Sequence, residues 1–223
     1  MYAYVGSRTS LERHARGEGI SVFKVDQDIG SLELVQVLGD LVNPSFLALN
    51  TKGDRLYSVH GDQQEVSVFS VNPTNGTLTH LQTQDCGGKN PVHLALDPSE
   101  QYLVVSNHLS SHVAVMPVLS EGKLGSVCQT VELPGAPGPH RVEQPFAKPH
   151  FNPFDPSGRF VVIPDKGLDK IFVYRFHNGQ LTPASTPWTD SREASGPRHI
   201  AFHPQKPFAC RKRVGFNSDR LSF

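Results

Sequence analysis

Two residues whose chemistry is worth following, His150 and Arg198, sit at matching points of a repeated stretch. His150 follows the proline of KPHFNPFDPSGRFVVIPD (148–165), and Arg198 follows that of GPRHIAFHPQKPFAC (196–210). Related wording occurs in NPSFLALNTKGDRLYSV (43–59) and NPVHLALDPSEQYLVVSN (90–107), where the equivalent positions are Ser45 and Val92. A histidine near its ordinary pKa takes or gives a proton at neutral pH. An arginine stays charged, holds a carboxylate or phosphate through two N–H groups, and stabilises an oxyanion. Together they suit the opening or closing of a lactone that carries an acidic group. His199, next to Arg198, is expected to point into the sheet, because adjacent strand residues face opposite ways.

The remaining histidines read differently. His93 and His108 fall at strand ends and are taken as structural; His60, His80, His112, His177 and His203 are taken as exposed or turn residues. No histidine pair or Cys/His group has zinc spacing, and no carboxylate cluster suits calcium. A GxSxG nucleophile motif is missing as well. No metal and no cofactor are expected.

The elements that must position His150 and Arg198 are short strands. Pro44, Pro91, Pro149 and Pro197 are spaced 47, 58 and 48 residues apart, the longer unit carrying the insert PGAPGPHRVEQPFAK (134–148). β-Branched runs such as GISVFKV (19–25), EVSVFSV (65–71), HVAVMPV (112–118) and KIFVYRF (170–176) are bounded by Asn-Gly, Asp-Pro and Gly-rich turns. The spacing predicts inner strands over 46–50, 93–97, 150–155 and 199–203, and an outer strand over 126–133. Four short antiparallel strands per repeat, with no helical period, predict an all-β protein of β-propeller type. The units fall at about 1–59, 60–107, 108–165 and 166–209, or four to four and a half blades. Residues that open the inner strands of adjacent blades should converge at the mouth of the central channel.

Composition narrows the function classes. The 223 residues carry 21 Lys+Arg against 21 Asp+Glu, a formal net charge of zero, so neither nucleic acid nor an anionic membrane is an expected partner. Three widely spaced cysteines imply no disulfide framework and favour a reducing compartment. The amino terminus lacks a secretory pattern and no apolar run could cross a bilayer, so a cytoplasmic location is expected.

The run 148–176, with GPRHIAFHP (196–204) and YVGSRT (4–9), resembles the seven-bladed propeller lactonases, a family that includes bacterial 6-phosphogluconolactonases and fungal carboxy-cis,cis-muconate cyclases. The resemblance covers residues 1 to about 209. It implies metal-free lactone chemistry at one mouth of the channel, with 6-phosphogluconolactone as the leading substrate and a muconate-type lactone as the alternative. The family's site histidine falls on His150 and its first arginine on Arg198. Arg141 and Gln144 are similar to a family pair bordering the site. The expected family glutamate falls on Val214, and Arg211, Lys212 and Arg213 interrupt the apolar strand expected over 208–213. The resemblance therefore implies a chain that leaves the pattern after about Ala209, with residues 210–223 off the repeat and further blades missing. Such an arc is expected to self-associate through open blade edges; a non-enzymatic interaction module is the reading from another class.

Overall fold

The structure, a computed structural model, describes residues 1–203, 208–213 and 218–222. Antiparallel hairpins make up five sheets, each in simple up-and-down order. The first joins β1 (Tyr2–Gly6), β2 (Ile20–Val25) and β3 (Leu32–Leu38). The second holds β4 (Pro44–Leu49), β5 (Arg55–His60), β6 (Glu65–Val71) and β7 (Leu78–Asp85). In the third are β8 (Pro91–Leu96), β9 (Tyr102–Asn107), β10 (His112–Pro117) and β11 (Gln129–Glu132). The fourth has β12 (Phe160–Asp165), β13 (Lys170–His177) and β14 (Gln180–Asp190); the fifth has β15 (Pro197–Phe202), β16 (Phe208–Arg213) and β17 (Ser218–Ser222).

Each sheet buries a face against the next. Ile20 and Val22 pack with Leu56 and Phe69 of the second sheet, and Tyr57, Val66 and Val68 pack with Leu94, Leu103 and Met116 of the third. Val104, Val113 and Val115 meet Val161, Ile163 and Phe172 of the fourth, whose Val162 and Ile171 reach Ile200 and Ala209. The alternation of apolar residues with period two places one set of side chains in each interface. Burial of each such side chain contributes about 1.5–3 kcal/mol. On the first sheet, Leu32, Leu34, Val35 and Val37 of β3 remain exposed.

Several expectations need correcting. The sheets are cut half a unit away from the sequence periods, because the proline-bearing strand pairs with the hairpin that follows it, while the segment before it crosses between sheets. The inner strand expected over 150–155 is reduced to isolated bridges, Pro149↔Asp165 and Phe154↔Val161. Pro153 within it has no N–H to give a ladder. The strand expected over 126–133 is confined to Gln129–Glu132. The interruption expected at Arg211–Arg213 is not seen in the backbone, which stays in strand pairing from Phe208 to Arg213 with β15 and β17 on either side. Backbone ladder bonds do not depend on the side chains being apolar. Val214 lies outside the described residues.

Pairing at the prolines positions the site. Pro44 pairs with His60 and Phe46 with Val59, which leaves Ser45 as an extra residue in a bulge. Val92 is the extra residue between Pro91↔Asn107 and His93↔Ser106, and Arg198 between Pro197↔Arg213 and His199↔Lys212. Bulges bend a strand and re-aim side chains. The residues ahead of three of these prolines, Asn43 (φ 44°), Asn90 (φ 55°) and Gly196 (φ 49°), are left-handed, which suits Asn and Gly. Three inner strands, β4, β8 and β15, therefore begin with a kink beside the end of their hairpin partner.

Candidate active site

His150 and Arg198 meet. The Arg198 Nε–H donates to His150 Nε2 at 2.9 Å, across the boundary between the fourth and fifth sheets. His150 is anchored by its own N–H to the Pro164 carbonyl, while Arg198 is exposed. Because Nε2 accepts, the ring proton resides on Nδ1, which is buried without a hydrogen-bond partner among the described residues. His150 thus offers no open lone pair while Arg198 is seated on it.

Two further imidazoles stand against His150. His108 and His199 place their rings edge-on to it, with centroids 5.2 Å and 5.3 Å away. His108 opens the turn after β9, and Asn107 at the end of β9 pairs with Pro91 at the same face. His108 Nδ1 lies 3.2 Å from the Pro149 carbonyl, so the residue preceding His150 fixes its tautomer. The His199 ring also packs on Phe151 at 5.3 Å, so Arg198 and His199 both reach His150, which the bulge at Arg198 allows although they are adjacent in the strand.

Behind these lies a file of rings running from blade to blade. Phe46 and His93 are 4.2 Å apart, and His93 and Phe151 are 4.0 Å apart. His93 is buried, with Nδ1 2.9 Å from Asn152 Oδ1. Asn152, fully buried, also accepts from Ser106 Oγ and donates to the Val104 carbonyl, so one amide ties the irregular inner segment to β9.

The electrostatics are cationic. Burial, then the charge of Arg198 and the neighbouring imidazoles, push His150 down to about 2. Burial, with Lys148, Lys166 and Arg198 against a partial offset from the Pro149 carbonyl, takes His108 to about 4. Burial alone dominates at His93, which falls to about 3. Lys148 is itself buried, sits 5.2 Å above the Phe146 ring, and is lowered by desolvation and by Lys166. Lys166 is paired with Glu143. All three imidazoles are therefore neutral at pH 7, in a field that attracts anions.

Arg141 and Gln144 are not drawn into this contact. Arg141 is exposed. Gln144 is buried and used by the insert itself, accepting from the His140 amide and donating to the Lys166 carbonyl. It thereby closes the insert over the turn that follows β12. That turn is held by Asp165, whose Oδ1 accepts from the Gly167 and Leu168 amides. Gly167 has no room for a side chain, since a Cβ there would lie 1.8 Å from the Phe146 carbonyl oxygen. Asp165 Oδ2 is buried without a hydrogen-bond partner, and burial raises this carboxyl to about 6 despite the amides of Lys148, Leu168 and Gly167.

The sequence reading therefore missed His108, His199, Lys148, Lys166 and Asn152. For His108 a signal existed: it directly follows the strand paired with a repeat proline, as Lys166 does after Asp165. His60 and His112 are also buried rather than exposed. His60 bridges the Val42 carbonyl and Ser67 Oγ, and His112 bridges the Ser110 carbonyl and Asn107. No group of three or more His, Cys, Asp or Glu placed to hold a metal ion occurs among the described residues.

Comparison with known proteins gives a consistent result. The family described as seven-bladed β-propeller lactonase matches residues 2–210. A 6-phosphogluconolactonase of Bacillus subtilis is 33% identical over 209 residues, which is 92% of this chain and 57% of that protein. A 6-phosphogluconolactonase of Formosa agariphila is 29% identical, covering 90% of this chain and 58% of its own. The solved periplasmic gluconolactonase of Pseudomonas aeruginosa is 28% identical with a TM-score of 0.83, over 95% of this chain and 61% of that one. A Bacteroides fragilis structure at 24% identity superposes with a TM-score of 0.91, over 100% of this chain and 64% of that one, and speaks for the fold alone. The chain spans a little over half the length of the curated relatives it matches.

Proposed function

The chain belongs to the seven-bladed β-propeller lactonase family, and from that premise we propose that it hydrolyses the lactone of a sugar acid, 6-phosphogluconolactone being the substrate the relatives' names point to. The observation that carries the reading is the contact between His150 and Arg198 at the mouth, under a cationic field from Lys148 and Lys166. Nε of Arg198 is engaged by His150, and the residue is exposed, so in this reading its two terminal nitrogens meet the substrate. Two parallel N–H groups suit a lactone carbonyl as it becomes an oxyanion, or an anionic substituent of the sugar acid. A water oxygen then bonds to the carbonyl carbon, its proton passes to an imidazole of the cluster, and the ring acyl–oxygen bond breaks. The departing alkoxide takes that proton back.

Arg141 and Gln144 belong to this reading as a border of the site. Gln144 acts by closing the insert, and Arg141 is the exposed cation on its rim. The reading includes a cytoplasmic location, supported by free Cys86 and Cys128; the gluconolactonase of Pseudomonas aeruginosa is periplasmic. It also includes self-association through the exposed residues of β3, which sedimentation velocity tests by a mass that rises with concentration. The function is tested by following 6-phosphogluconolactone and unphosphorylated gluconolactone against their spontaneous hydrolysis. A rate above background for the phosphorylated lactone supports the reading; background rates for both contradict it.

A further inference from the structure

The lactonase reading leaves open which imidazole accepts the proton. We propose that His108 is this proton acceptor, through Nε2, and that His150 is a positioning residue which holds Arg198. The proposal rests on the lactonase reading and on three observations. First, the acceptor nitrogen of His150 is occupied by the Arg198 Nε–H at 2.9 Å, and its other nitrogen is buried. A ring so placed can neither accept a proton from water nor reach substrate without releasing the arginine. Second, the Pro149 carbonyl at 3.2 Å from Nδ1 keeps the proton of His108 on that nitrogen, leaving Nε2 with a lone pair and no partner among the described residues. Third, His108 packs edge-on against His150 with ring centroids 5.2 Å apart, so it stands beside the ring that holds the guanidinium.

The charged groups acting on His108 are Lys148, Lys166 and Arg198, all cationic, together with the neutral His150 ring. They keep it unprotonated in the resting site, and an anionic substrate offsets them at the moment a base is needed. The step balances. The water oxygen forms its bond to the carbonyl carbon as a proton moves to His108 Nε2, and the carbonyl π pair moves to the oxygen beside Arg198. That pair then returns, the ring C–O bond breaks, and the sugar alkoxide takes the proton from His108, which is neutral again.

Two variants separate the roles. His108→Asn keeps a donor for the Pro149 carbonyl and removes the basic nitrogen. His150→Gln keeps an acceptor for Arg198. The expected result is a loss in kcat of roughly 100-fold or more for His108→Asn, the usual scale for a general base, restored in part by added imidazole. His150→Gln should lose less than about tenfold. Near-normal turnover in His108→Asn, or a loss that imidazole does not restore, overturns the proposal.

A readout without turnover keeps the two ideas apart. Nitrogen-15 NMR of the unsubstituted chain at pH 7.5 should show His108 with Nδ1 protonated and Nε2 bare, and Nε2 should shift when 6-phosphogluconate is added. A proton on Nε2, or no response of His108 to the product, refutes the assignment even if the chain hydrolyses the lactone. Absence of hydrolysis with the expected NMR response refutes the lactonase reading and leaves His108 as the mouth's ligand-facing base.

Discussion

Acidification should loosen this fold well before most carboxylates titrate. Three imidazoles are held neutral: His93 at about 3, His108 at about 4 and His150 at about 2, against 6.5 when free. The folded state disfavours their protons, so the stability they contribute is complete above pH 6.5 and falls as the pH drops below it. At pH 5 all three folded values are still below the solution pH, so the loss depends on the unfolded value alone. Each histidine then costs about 2 kcal/mol, from 1.4 kcal/mol per pH unit over about 1.5 units. Asp165 acts in the opposite sense. Its folded value of about 6 lies above the free 3.8, so the folded state gains a proton first and recovers about 1 kcal/mol by pH 5. The net loss is about 4–5 kcal/mol, a large part of the roughly 5–15 kcal/mol that stabilises a domain. For a chain of this length that is a fall in Tm of roughly 10–15 °C between pH 7.5 and pH 5. Calorimetry at matched ionic strength measures it. His93→Phe, which keeps a ring between Phe46 and Phe151, should reduce the pH slope by about one proton in three. Equal Tm at the two pH values, or an unchanged slope in His93→Phe, would refute the reasoning.

Other outcomes follow from the same geometry. Asn152→Ala strands the Val104 carbonyl, Ser106 and His93 together, and should cost about 2–4 kcal/mol in urea unfolding. Asp165→Asn removes a carboxylate whose charged form is penalised above pH 6; it should melt higher than the parent at pH 7.5 and lose that advantage by pH 4.5, as thermal scans at both values would show. Gly167→Ala should destabilise by more than about 1 kcal/mol because the Phe146 carbonyl occupies the space a methyl needs; denaturant midpoints check this. Arg198→Lys keeps the charge but loses the paired N–H groups, and should reduce kcat/KM for the lactone by at least tenfold.

Much of the fold could be read from the chain because its signals are local. Alternating apolar residues and turn chemistry repeat at a near-fixed interval through the first four sheets, whereas β16 and β17 lack them. The pairing of His150 with Arg198 was legible for the same reason, since equivalent positions of neighbouring repeats must converge. Three features were not legible. The bulges at Ser45, Val92 and Arg198 depend on register between strands, and one of them turned His199 toward His150. The loss of regular pairing over 150–155 depends on Asn152 finding its partners on β9, far away in sequence. Which nitrogen of His108 is engaged depends on the Pro149 carbonyl, and which nitrogen of His150 is engaged depends on the Arg198 side chain, contacts that no spacing rule encodes. The charged run Arg211–Arg213 misled for a simpler reason, because strand pairing is a backbone property.

The central claim is that the His150–Arg198 mouth opens a lactone. It is tested most directly by the initial rate of 6-phosphogluconolactone hydrolysis by the purified chain, above the spontaneous rate, beside Arg198→Ala. The account predicts an excess rate in the parent that falls at least 100-fold in the variant, on the scale of losing an oxyanion-stabilising group. An excess rate that survives unchanged in Arg198→Ala, or no excess in the parent, would contradict it.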